Sequence, residues 1–367
     1  MRVLSLALRD FRSYEAAEVA LGEGLTVVSG PNGAGKTNLL EALYFGCTGR
    51  SCRTANEREV VRFGAGATRV VVRSLGEDGP HETSVGFAPG QPKRLRVDGA
   101  AVERLLDASV RPLVSVFLPD RLELVKGAPA LRRAHLDQLV AALWPARAET
   151  RRAYGQALAQ RNALIARLRA GRGSRDSLTS WDLQLARAGV ALMRNRGQAV
   201  ETIAEAAERI GASLGIVSGL SVSYAPRSRA TDADALAAEL HERIDQDIER
   251  GFSGHGPHRD ELAMAIGGRD LRAYGSQGQQ RIALLALLVA EREAICAIRG
   301  APPVMLLDDV MSELDSVRRA ALIELLRAGD GQAVITTTDL EHVPGAGEDG
   351  VVRLIVADGG VLEEAIV

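Results

Sequence analysis

The sequence predicts an α/β protein: a head built on a mixed sheet with an antiparallel β subdomain, and a helical second lobe carrying a short antiparallel hairpin arm. Three observations predict it. An apolar run, Leu25 to Val28, breaks at Gly30 into a glycine-rich loop, after which Asn38 to Phe45 carries apolar residues at helical spacing. From about Pro129 the hydrophobic period changes from two to about three and a half. The C-terminal part then alternates helix and strand, as a parallel sheet with helical crossovers requires. The expected divisions are 1–127 for the N-terminal part of the head, 128–213 for the lobe and arm, and 214–367 for the C-terminal part of the head.

In chain order, residues 3–8 alternate as a strand. Arg69 to Leu75, Thr83 to Ala88 and Lys93 to Val97 read as an antiparallel meander closed by Asp98-Gly99, a hairpin signal. Leu113 to Leu118 is a further apolar run, followed by Pro119-Asp120-Arg121. Leu158, Ile165 and Leu168 mark a first arm helix ending near Gly171. Leu185, Leu192, Ala199 and Ala206 recur at sevenfold spacing on a second, with Ile203 and Ile210 on the adjacent row. Val217 to Tyr224 is a strand, Asp232 to Arg250 a polar helix, residues 251–260 a loop and Glu261 to Ile266 a strand. Gln277 to Ile298, Val304 to Leu307, Asp315 to Arg327 and Ala333 to Thr336 complete the alternation.

Composition bounds the function. Of 367 residues, 46% are apolar and 25% charged, as in soluble globular proteins. The longest apolar stretches, such as Ile282 to Ala290, fall short of the ~20 residues a membrane span needs, so no membrane partner and a cytoplasmic location are expected. Three cysteines, Cys47, Cys52 and Cys296, make no four-ligand metal set. A net charge of −2 places any nucleic-acid surface locally rather than over the whole molecule. Three lysines stand against 42 arginines, a bias that genome composition explains better than function.

The loop after the first buried strand has the spacing Gly30-x-x-x-x-Gly35-Lys36-Thr37. Gly30, Pro31, Asn32, Gly33, Ala34 and Gly35 let the backbone curl so that its N–H groups converge on a phosphate, and the helix behind adds its positive dipole end. Lys36 is then placed for the β and γ phosphates of ATP, and the Thr37 hydroxyl for Mg²⁺, a hard ion that prefers oxygen. A bare glycine turn before a helix would share the glycines, but not the flanking strand and helix signals. Far downstream, Val304-Met-Leu-Leu-Asp308-Asp309 puts two carboxylates after an apolar strand. Asp308 suits the Mg²⁺ shell, and Asp309 suits orienting or deprotonating an attacking water. A turn and helix cap is the competing role for such a pair.

Between the two motifs lies Ser276-Gln277-Gly278-Gln279 at the start of a long apolar helix, and after them Met311-Ser-Glu-Leu-Asp315. Ser276 with Gln279 three positions on also fits a helix-capping box. In this order the set resembles the ATP-binding-cassette ATPases, including the SMC class, with Ser276 to Gln279 as signature motif and Asp315 in the D-loop. That resemblance implies a homodimer on ATP binding, in which the signature of one copy closes over the γ-phosphate held by the other.

Arg9-Asp-Phe-Arg-Ser-Tyr14, the loop with its helix through Leu43, Leu118 to Gly127 with Arg132-Arg133 and Leu136-Asp137, and Gly256-Pro-His-Arg-Asp260 narrow the match. Together they resemble the RecF family over essentially the whole chain. The resemblance implies a slow DNA-dependent ATPase of recombinational repair that binds DNA where duplex meets a single-stranded gap. It also implies partnership with RecR, with RecO and RecA acting downstream, in the nucleoid.

Thr338 stands where many cassette ATPases have a switch histidine, and Asp309 where glutamate is usual; both point to slow turnover. His255 and His258 could be proposed as a metal pair, but the Gly256-Pro-His-Arg-Asp260 resemblance implies a family-specific structural or active-site-edge loop. Arg132, Arg133, Arg147, Arg151, Arg152, Arg161, Arg167, Arg169, Arg172 and Arg175 gather around the first arm helix, where a solvated face competes with phosphate tracking. An SMC-type tether or nuclease-partner ATPase, and a transporter ATPase subunit, are the alternative readings.

Overall fold

A computed structural model describes residues 1–108, 110–118, 122–329, 331–357 and 359–363. The chain divides into two compact units, the first formed by 1–121, 213–215 and 295–367 and the second by 122–212 and 216–294. The expected division at 213/214 therefore shifts: residues 216–294 group with the lobe rather than with the head. Pro119-Asp120-Arg121 lies outside the described residues.

The elements in order are β1 (Arg2–Phe11), β2 (Tyr14–Ala20), β3 (Leu25–Ser29), α1 (Lys36–Thr48), β4 (Thr68–Gly76), β5 (Gly79–Phe87), β6 (Arg94–Val97), β7 (Ala100–Ala101) and β8 (Val114–Phe117). There follow α2 (Glu123–Lys126), α3 (Pro129–Leu143), α4 (Ala148–Arg169), α5 (Ser177–Ser213), β9 (Leu220–Ala225), α6 (Ala233–His241), α7 (Ile244–Arg250), β10 (Glu261–Ile266), β11 (Arg269–Asp270), α8 (Leu271–Tyr274) and α9 (Gln277–Arg299). The chain closes with β12 (Val304–Leu307), α10 (Ser316–Arg327), β13 (Ala333–Thr337), β14 (Val352–Ala357) and β15 (Gly360–Glu363).

The first unit holds two sheets. One is antiparallel, in the order β2-β1-β4-β5-β6-β7; the other runs β15-β14-β3-β13-β12-β8, parallel except for β15. Every residue of β3, β12 and β13 is buried, as central parallel strands covered on both faces must be. α1 packs against strands of both sheets and buries residues all round, Leu39, Leu40 and Leu43 among them. Gly46 permits the close approach, since a Cβ there would fall 2.5 Å from Val72 Cγ2. The meander forms as expected, but β2 and the final pair β14 and β15, absent from the expected strands, extend the sheets.

The second unit contains a helical hairpin, α4 and α5, with α6 and α7 laid along it, a small antiparallel sheet β11-β10-β9, and α2, α3, α8 and most of α9. Tyr154, Ala157, Leu185, Ala186, Leu192 and Met193 share one apolar cluster with Leu236 and Leu240 of α6. The arm is thus covered within its own unit rather than bare, and the expected single helix 232–250 is broken into α6 and α7. Leu185, Leu192 and Ala199 are buried as expected; at the next turn it is Ala207, not Ala206, that is fully buried.

Two of the arginines gathered around the first arm helix are neither solvated nor free to track phosphates but interior. Arg161 is fully buried and donates to Asp182 Oδ1 (2.6 Å), Asp247 Oδ2 (2.6 Å) and Ser253 Oγ (2.7 Å). Arg132 is buried too, with both carboxylate oxygens of Glu261 at 2.6 and 2.9 Å and the Val125 and Gly127 carbonyls as further acceptors. Arg151, Arg152, Arg167, Arg169, Arg172 and Arg175 remain exposed.

The two loop histidines go to different partners. His255 Nε2 lies 2.5 Å from Glu239 Oε2, while His258 bridges Tyr154 OH (2.7 Å) and the Ser253 carbonyl (2.9 Å). Burial pushes the His258 imidazole down to about 4, assisted by the positive charges of Arg259 and Arg133.

Two stability predictions follow from this unit. Arg161→Ala leaves two buried aspartates without their cation and should cost about 3–5 kcal/mol in urea unfolding, against under about 0.5 kcal/mol for the exposed Arg152→Ala. The neutral His258 of the folded state means that the unfolded chain takes up a proton first as pH falls below about 6.5. Stability should therefore drop between about pH 6.5 and pH 4, by about 3 kcal/mol at full titration, and His258→Gln should flatten that part of the pH profile.

Candidate active site

The parallel sheet dictates where chemistry can gather. Gly30 follows β3, Asp308 follows β12, and Thr336 and Thr337 end β13, which lies between them with Thr337 opposite Ser29 and Ile335 opposite Leu307. All sit at the carboxyl ends of the strands, where open α/β sheets bind ligands.

The loop between β3 and α1 needs its glycines at defined points. Gly30 has φ 150° and a Cβ there would lie 2.2 Å from the Val356 carbonyl oxygen of β14. Gly35 has φ 118°, and its Cβ would meet Ser13 Oγ and Tyr14 OH at 2.9 Å. Tyr14 OH donates to the Gly35 carbonyl at 2.9 Å, fixing the residue that precedes Lys36. The Lys36 ammonium folds back to donate to the carbonyls of Gly30 (2.7 Å) and Pro31 (3.0 Å). Burial lowers its pKa, against the opposing charges of Asp309 and Asp308.

Opposite the loop, Thr37 Oγ1 lies 2.9 Å from each carboxylate oxygen of Asp308, a contact across 271 positions of sequence. Thr336 Oγ1 donates to Asp308 Oδ1 at 2.7 Å and accepts from the Asp309 N–H at 2.9 Å. Burial raises the Asp308 carboxyl, and the two threonine hydroxyls work against it. Asp309 is held at φ 48°, a left-handed backbone that is costly for a residue other than glycine. Its Oδ1 is buried without a hydrogen-bond partner among the described residues. Thr336 did not emerge from the sequence; the signal that could have found it is the threonine run at the end of the strand after Asp308.

A second ring of polar side chains braces the loop. Arg12, on the turn between β1 and β2, forms a paired contact with buried Glu41 of α1 (2.9 and 2.7 Å). Arg53 joins the same carboxylate (3.2 Å) and Asn38 (3.0 Å), and Asn38 donates to Ser13 Oγ (3.0 Å).

The remaining expected residues are placed as follows. Ser276 and Gln279 form a reciprocal capping box at the start of α9: the Ser276 N–H donates to Gln279 Oε1 (2.9 Å), and the Gln279 N–H to Ser276 Oγ (3.2 Å). Ser276, Gln277, Gly278 and Gln279 are all exposed, while buried Gln280 ties the start of the helix to the Leu271 and Gly275 carbonyls. Asp315 caps α10 by accepting from the Arg318 N–H (2.9 Å), and Thr338 is exposed just beyond β13. Among the described residues no helix is long and apolar enough to cross a membrane.

Thr336→Val should cost about 1–3 kcal/mol in urea unfolding, since it removes one of the two hydroxyls on buried Asp308 and strands the Asp309 N–H. Thr336→Ser should behave close to the parent protein.

A family model described as an AAA domain matches residues 5–86. The DNA replication and repair protein RecF of Anaeromyxobacter sp. (strain Fw109-5) is 40% identical, with 100% of both chains covered. That of Myxococcus xanthus (strain DK1622) is 39% identical over 100% of this chain and 98% of its own. A solved structure of the recombination mediator protein RecF with ATP, in the RecFOR pathway, superposes with a TM-score of 0.86 at 27% identity, covering 99% of this chain and 98% of that one. An SMC head bound to the C-terminal winged-helix domain of ScpA superposes at 0.61 with 16% identity, over 100% and 98% of the two chains, a likeness of fold. The head is therefore of the ATP-binding-cassette type shared with SMC proteins, and identity of this order over the full length shows that the chain belongs to the RecF family of DNA replication and repair proteins.

Proposed function

We propose that the chain is an ATP-gated DNA-binding protein of recombinational repair that associates as a homodimer when ATP is bound and hydrolyses it slowly. The observation that carries this reading is the approach of Thr37 to Asp308 beside Lys36 and the glycine loop, in a chain of this family. The solved relative named as an ATP complex supports the choice of nucleotide.

Each residue's role follows from what it touches. The loop N–H groups and the α1 N-terminus bind phosphate oxygens, and Lys36 exchanges its two carbonyl acceptors for the β and γ phosphates. Thr37 and Asp308 are the oxygen donors that would hold Mg²⁺, which when bound neutralises phosphate charge. The unpartnered Asp309 Oδ1 fits this chemistry: it accepts a hydrogen bond from the attacking water and orients it in line. Asp309 has a shorter reach than glutamate, and Thr338 offers no imidazole, so turnover is slow.

The exposed start of α9 offers Ser276 and free helix N–H groups, with Gln277, Gly278 and Gln279 beside them, to the γ-phosphate held by a second copy, and Asp315 takes the D-loop role. ATP then acts as part of the interface, and its hydrolysis releases the dimer. The dimer holds DNA next to single-stranded gaps and works with RecR, with RecO and RecA downstream, on the nucleoid in the cytoplasm. A long SMC-type tether is not favoured, since α4 and α5 have only 22 and 37 residues.

Light scattering with and without ATP and duplex DNA tests the reading. Lys36→Ala should abolish nucleotide-driven dimers by losing ATP. Ser276→Ala should bind ATP nearly as well yet stay monomeric; full dimer formation by that variant would refute the shared site.

A further inference from the structure

Within the second unit a hollow of about 410 Å³ is lined by Arg227, Arg250, Phe252, Gly254 and Arg259. All three arginines are exposed, and none has an ion pair among the described residues. Phe252, 43% exposed, carries the Arg259 guanidinium 5.5 Å from its ring centroid, a cation–π contact that holds that charge over the hollow.

Two carboxylates bonded to the backbone around the hollow are committed elsewhere. Asp247 gives one oxygen to Arg161 (2.6 Å) and the other to the Gly254 N–H (2.9 Å). Asp260 accepts from the Arg227 N–H (2.7 Å), from Tyr224 OH and from Arg196 (3.4 Å). Both aspartates thus shape the backbone around the hollow and leave the guanidinium groups free. The surplus charge is felt nearby: Arg259 depresses the pKa of both Arg133 and His258, behind the larger effect of burial.

We propose that this hollow is a phosphate-binding site for a DNA strand, with Arg227, Arg250 and Arg259 as the contacts and Phe252 as the floor that orients Arg259. Planar, permanently charged groups converging from a loop after β9, the end of α7 and the loop before β10 suit the tetrahedral spread of phosphodiester oxygens. A nucleic-acid strand is favoured over an acidic peptide because a DNA-repair chain of net charge −2 needs a local basic surface, and this one keeps its arginines unpaired. The proposal rests on the DNA-binding reading above and assigns it a surface.

Fluorescence anisotropy with a labelled DNA duplex carrying a single-stranded gap, measured with ATP over a range of salt, tests it. Relative to the parent protein, Arg227→Gln/Arg259→Gln should bind about tenfold or more weakly, with the slope of log K against log salt reduced by about 2. Arg227→Lys/Arg259→Lys should keep the slope while losing part of the affinity. ATP binding and thermal melting should be unchanged in both. Parent-like affinity and slope in the glutamine variant would overturn the proposal, as would DNA binding that is unchanged while a polyglutamate peptide loses its affinity. A parent protein that binds no DNA would instead sink the underlying reading.

Discussion

The head depends on one buried carboxylate. Asp308 is held in a low-dielectric setting by two hydroxyls, one from α1 and one from β13, and that arrangement is possible only when three parallel strands end together. An isolated ionised carboxylate there would be costly, and the two threonine hydroxyls offset part of that cost. They also set the backbone of Asp309, whose left-handed turn is secured by the same Thr336 oxygen. α1 packs against strands of both sheets, so its N-terminus is tied to each.

The lobe is built by a different rule. Its interior contains arginines satisfied by carboxylates from distant segments, Arg161 with Asp182 and Asp247, and Arg196 with Asp137 and Asp260. Such groups add little net stability over apolar replacements but tolerate no partial loss, which makes the lobe's packing specific. Using its acids internally is also what leaves basic groups unbalanced outside.

Legibility in the sequence followed how local the physics is. The glycine loop could be read because close approach and positive φ demand glycine at fixed spacing, and β12 was bounded correctly because an apolar run meets Asp308. Ser276 and Gln279 were readable as a cap because both partners lie within one helical turn. Arg161 was not, since its partners Asp182, Asp247 and Ser253 are separated from it by 21, 86 and 92 positions. Thr336 likewise gains its meaning only from strand order. β14 is missing from the expected strands although Val352, Leu354, Ile355 and Val356 carry an ordinary strand signal, and the sequence places residues 216–294 with the head because nothing local reveals which sheet a strand will join.

The position of β14 governs the order in which a nascent chain can mature. Its carbonyl at Val356 forms one wall of the turn at Gly30, and β13, on the other side of β3, is also made late. β3 and β8 are therefore made long before the strands that pair with them, whereas the parts of the lobe lie almost together in the chain. Phosphate-loop closure waits for β14, translated long after the glycine motif, so a product truncated before that strand would still lack a formed pocket.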